Sequence, residues 1–91
     1  MVLVLMLTPL AMAEYPSDVT ILERPSIVKL SDDQIIDVYE GTLVEIEAIR
    51  TFHATSGFSP KEYKDFKGLL IFRYHLLDEI QKRNLTVPPQ F

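Results

Sequence analysis

The sequence predicts a mainly all-α protein: an antiparallel two-helix hairpin with an extended N-terminal arm and a short extended C-terminal tail. Three observations lead there. Apolar residues recur at three- and four-residue spacing over 32–55 and 60–84, the period of a helix with one buried face. Each of these segments opens on a capping signature. The turn between them is so short that the second helix can only return alongside the first.

The first long helix is expected to start at Ser31-Asp32-Asp33-Gln34. The Ser31 hydroxyl can accept from the backbone three residues on and the Gln34 side chain can reach back, a capping box. Asp32 and Asp33 then lie where the helix dipole favours negative charge. Ile36, Tyr39, Leu43, Ile46, Ile49 and His53 continue one face. A competing signal is the strand-like alternation of residues 44–48 after Gly41, which costs a helix interior about 1 kcal/mol relative to alanine. The caps at both ends favour one helix over 32–55, with a break at Gly41 and a strand over 42–49 as the alternative.

The turn carries several concordant signals. Gly57 can adopt the left-handed conformation that ends a helix, and Phe58 is the apolar residue expected after it. Ser59 caps the next helix, Pro60 takes the first helical position, and Glu62 completes a second capping box. Phe58 and Tyr63 stand at the positions of a hydrophobic staple. From Pro60 to about Asn84, Tyr63, Phe66, Leu69, Leu70, Leu76, Leu77 and Ile80 form the apolar face, with Tyr74 at its margin. Setting His53 opposite Tyr63 pairs Ile46 with Leu70, Leu43 with Arg73, and Ile36 with Ile80.

Outside this unit, residues 1–13, MVLVLMLTPLAMA, read as a signal peptide ending in the A-x-A pattern, too short to span a bilayer. They lack the usual Lys or Arg at the start. Residues 14–30 form the arm: two β-branched runs around Glu23-Arg24-Pro25 can pair as a hairpin, but an isolated pair of strands is barely stable in water, so an extended path is expected. Residues 85–91, with Pro88 and Pro89, form the tail.

Composition narrows function. At 91 residues the chain has room for one small domain. A net charge of −4 argues against a nucleic-acid partner, which needs a clustered basic surface. With no cysteine, an exported domain of this size has no disulfide to support it, which points to bacterial export or to a partner that completes the core.

Arg73 falls within the apolar face and is expected to pair with Glu40 or Glu47, because an unpaired buried guanidinium costs several kcal/mol. Its alternative role is an anchor for a partner's carboxylate. Val44, Phe52, Ile71 and Phe72 fall outside the main stripes and call for a cover: the folded-back arm, a second copy, or another protein. His75 and Glu79 have the spacing of a helical metal pair but too few companions for a site. Ser56 and Ser59 lack a base and an orienting acid, and Asn84-Leu85-Thr86 matches the glycosylation pattern, which has meaning only in a eukaryotic source.

The expectation is therefore a small exported protein, periplasmic or extracellular, acting by protein–protein interaction or self-association, with membrane contact only through its signal segment. It is expected to have no catalytic activity, cofactor or metal. The alternative is a ligand- or metal-binding module using a groove near His53 and Arg73.

Overall fold

The computed structural model describes residues 19–89. The expected signal segment 1–13, residues 14–18 and the last two residues of the tail lie outside them. The protein is mainly helical, with three helices and no strand among the described residues: α1 Arg24–Val28, α2 Asp32–Phe52 and α3 Pro60–Lys82. The strand alternative over 42–49 is excluded, because α2 runs through Gly41 without a break.

Helix α1 corrects the expectation of an arm extended throughout 14–30. Glu23 is extended at φ −83° and ψ 161° and Pro25 lies in the first turn, the arrangement in which proline's fixed φ starts a helix. The Glu23 carbonyl accepts from the Ser26 and Ile27 N–H groups at 2.9 and 3.1 Å. This one turn buries Ile27 against the core.

Both long helices are capped as the sequence implies. In α2 the Gln34 N–H donates to Ser31 Oγ at 3.1 Å and the Ser31 N–H to Gln34 Oε1 at 2.9 Å. In α3 the corresponding Ser59 and Glu62 bonds are 3.2 and 2.9 Å. The C-termini come sooner than expected. Helix α2 stops at Phe52, and the chain makes a turn over 53–56 before Gly57 takes φ +74°. Helix α3 stops at Lys82 because Asn84 turns left-handed at φ 59°. There the Leu85 N–H reaches the Ile80 carbonyl at 3.1 Å and the Asn84 N–H that of Gln81 at 3.0 Å, the paired bonds of a Schellman ending. Leu85 follows the pattern by packing on the core.

Helices α2 and α3 run in opposite directions. Asp32 at the start of α2 meets Arg83 just past α3, and His53 at the end of α2 meets Glu62 at the start of α3. Equal stretches of chain, 32 to 53 and 62 to 83, separate the two contacts, one residue from the register expected. The core holds Ile35, Tyr39, Leu43 and Ile46 of α2, Phe66, Leu69, Phe72, Leu76 and Ile80 of α3, and Ile27 of α1. Phe72, at 1% exposure, is core: of the three covers the sequence allows, the folded-back arm is the one it has, which corrects its candidacy as a contact for a partner. It occupies the flank of α3 that α1 and the preceding segment close, a flank the two-helix picture left open.

Candidate functional site

The densest cluster of functional groups lies where α2 ends and α3 begins. His53 caps α2, and its side chain is 5% exposed. Its Nδ1 lies 2.9 Å from the Gly57 carbonyl oxygen; a carbonyl can only accept, so Nδ1 carries the hydrogen. The Gly57 N–H donates back to the His53 carbonyl at 2.9 Å. These reciprocal bonds fix the imidazole plane. Phe58 stacks on the ring at 4.3 Å between centroids and Phe52 meets it edge-on at 5.0 Å. Phe58 in turn contacts Phe66 and Tyr63, so the expected staple forms and continues into an aromatic cluster.

With Nδ1 committed, Nε2 faces Glu62, whose Oε2 is 3.9 Å away. Glu62 uses Oε1 for the Ser59 N–H. That bond, helped by the Ser59 hydroxyl, by the charge His53 carries when protonated and by Lys61, against some desolvation, holds the carboxyl below its ordinary pKa. Beside this pair opens a groove of about 390 Å³, walled by Val19 and Ile21 on one side and by Ile49, Phe66 and Leu69 on the other. Gly68 forms part of its floor, where a Cβ would lie 3.8 Å from Ile21 Cδ1.

Arg73 is not at this groove. It is half-buried on α3, and among the described residues it forms no ion pair. The expected partner Glu47 instead approaches Arg50 at 3.8 Å, and Glu40 has no cation among the described residues. The bridging arginine is Arg83. Its Nε binds Glu79 at 2.9 Å, Nη1 binds Asp32 at 3.0 Å, and Nη2 donates to the Val28 carbonyl at 3.1 Å and toward that of Ile27 at 3.5 Å. The guanidinium thus satisfies the carbonyl end of α1 while tying it to α2 and α3. The Glu79 bond, followed by Asp32, raises its pKa further. Composition could not separate Arg83 from Arg73, because the distinction depends on where α1 comes to rest.

The remaining interaction candidates are not brought together. Val44 and Ile71 are about half exposed, but Val44 lies about 140° round α2 from core Tyr39 and Ile71 about 200° round α3 from core Leu69. Each points away from the seam. Phe52 is half exposed beside His53. Glu45 is buried, and neither its Oε2 nor the Tyr39 hydroxyl has a hydrogen-bond partner among the described residues. Glu45 sits one turn before Ile49, on the side of α2 that the 19–22 segment crosses.

A second surface corrects the apolar face expected of α3, whose rear edge is left outside the core. Tyr63, Leu70, Tyr74 and Leu77 form a stripe on α3, with Tyr63 and Tyr74 exposed and the leucines partly covered. Leu70 is two residues, about 200°, beyond Gly68, so the stripe faces away from the arm. Glu40 and Glu47 are likewise about 180–200° from Ile49 on α2, which places them on the same rear face. No group of three or more His, Cys, Asp or Glu residues that could hold a metal exists among the described residues.

No known protein family, curated protein or solved structure matches this chain.

Proposed function

We propose that this is a small exported protein that works by self-association, with the α2–α3 helical hairpin as its working unit, the arm and tail as its supports, and the rear face as its contact surface. The observation that carries the proposal is Arg73, half-buried beside an apolar stripe with no carboxylate partner among the described residues. Glu40, across the seam, lacks a cation there too. In the observed register Glu40 is level with residue 75. A two-fold axis running parallel to the helices and between them keeps these levels and lays each Arg73, level with residue 42, within two residues of the second copy's Glu40, satisfying both charges twice. Arginine and tyrosine are also residues that interfaces favour at their centres.

Charge over the whole pair points the same way. Helix α2 carries six carboxylates and one arginine, a net −5; α3 carries five cations and four carboxylates, a net +1. The two-fold contact sets each α2 over the other copy's α3. Export rests on the apolar 1–13 segment with its A-x-A ending; among the described residues no helix is long and apolar enough to cross a membrane. This reading assigns the chain no catalytic role.

Sedimentation velocity tests it. The chain should sediment as a dimer at micromolar concentration, Arg73→Glu should give monomer, and the exchanged pair Arg73→Glu with Glu40→Arg should restore the dimer. A monomer throughout, or an Arg73→Glu protein that still dimerises, contradicts the proposal.

A further inference from the structure

The groove beside His53 is separate from the rear face, and its chemistry points to a small molecule. Its polar end presents two acceptors. Because Nδ1–H is held by the Gly57 carbonyl, neutral His53 turns the Nε2 lone pair toward the groove. Glu62 keeps Oε2 free of its cap bond. The atoms are 3.9 Å apart, too far to bond each other and too close to be indifferent. A nitrogen about 2.85 Å from each would subtend an angle of about 85°, narrower than tetrahedral by an amount that modest bending of two N–H bonds absorbs. A carboxylate next to a neutral acceptor selects a cationic donor over a neutral one.

The rest of the groove is apolar. Ile21, Ile49 and Leu69 line it and Phe66 supplies an aromatic surface. Its volume, about 390 Å³, is at the lower end of the range for small-molecule sites, roughly 300–1,000 Å³. Asp65 on the rim is engaged by Lys61 at 2.9 Å. Lys64 brings an opposing positive charge there, so the attraction for a cation comes from Glu62.

We infer that this groove binds a primary amine carrying an apolar or aromatic group, its ammonium bridging His53 Nε2 and Glu62 Oε2 and its tail lying against Ile49, Leu69 and Phe66. No motif announces the site, since its two polar atoms come from two helices and its far wall from the 19–22 segment.

The test is titration of the full ¹⁵N-labelled chain with phenethylamine and, separately, phenethyl alcohol, following the His53 imidazole resonances. The amine should give a saturable shift and bind about tenfold or more tightly than the alcohol, because a charge-assisted hydrogen bond is roughly twice as strong as a neutral one. Glu62→Gln keeps an oxygen for the Ser59 cap and should erase that preference. Gly68→Leu fills the groove without touching either polar group and should abolish binding of both probes. Gly68 lies within helix α3, where leucine is a better helix former, so this variant carries the test even if Glu62→Gln unfolds. The inference is overturned by the absence of a saturable shift with phenethylamine, by equal affinity for the two probes, by a preference that survives in Glu62→Gln, or by undiminished binding in Gly68→Leu.

Discussion

Adjacent residues on α3 offer a sharp test of the packing. Phe72 is 1% exposed and Ile71 is 55% exposed, although by helical period both fall outside the main stripe. Phe72→Ala removes a ring from the centre of the core and leaves a cavity, a change that costs about 3–5 kcal/mol. Ile71→Ala removes a side chain that already has half its surface in water, and alanine is the better helix former, so the net change should stay within about 0.5 kcal/mol. The whole chain, at roughly 0.05–0.15 kcal/mol per residue, has about 5–14 kcal/mol to lose. With 4–8 °C per kcal/mol for a domain of this size, Phe72→Ala should lower Tm by about 12 °C at least. Urea denaturation followed by circular dichroism would show a midpoint lower by more than about 1 M, with an unchanged midpoint for Ile71→Ala. Equal losses at the two positions, or the larger loss at Ile71, would refute the placement of α3 against α2 and α1.

Further outcomes follow from the caps, the turn and the arginine bridge. Gly57→Ala forces a side chain into φ +74° and should cost about 1–2 kcal/mol, whereas Asn84→Gly at φ 59° should be neutral in a thermal melt. Ser59→Ala should cost about 1 kcal/mol by removing the α3 cap. Glu62 has a depressed folded pKa, so its contribution is present above the unfolded value near 4.5 and is lost as pH falls through the folded one; Glu62→Gln should flatten the acid limb of a pH–stability curve in that window. Arg83→Met should release α1 before it loosens α2 and α3, seen as faster tryptic cleavage after Lys29, since the Arg24–Pro25 bond resists trypsin, with retained helix signal; an unchanged cleavage rate would remove Arg83 from the role of clamp.

Local chemistry was readable and long-range placement was not. The capping boxes at Ser31 and Ser59, the left-handed Gly57 and the Phe58–Tyr63 staple depend on residues three to five apart, so each could be read without knowing the fold. The same kind of signal is present at Pro25 and at Asn84-Leu85, but β-branched neighbours mask the first, and the second coincides with a glycosylation pattern that has no bearing on the helix end. Phe72 and Glu45 are buried because α1 and the 19–22 segment close one side of the helix pair, a fact with no local signature. The functional candidates divide for the same reason. Arg73 and His53 read as neighbours of one groove, whereas Arg73 lies outside the groove that His53 lines, and the arginine that joins all three helices is Arg83.

The claim on which this account turns is the two-fold contact of rear faces, and directed disulfide formation tests it most directly. The chain has no cysteine, so Glu40→Cys and Arg73→Cys proteins can be mixed and mildly oxidised without competing thiols. The mixed pair joins Cys to Cys across one half of the contact while keeping the Arg73–Glu40 pair in the other; either homodimer loses both pairs. The account predicts that the mixed disulfide dominates and that Val44→Cys, more accessible than Arg73 at 56% exposure but on the outer side of α2, stays largely monomeric. Homodimers formed as abundantly as random collision dictates, or a Val44→Cys chain that couples as readily, would contradict it.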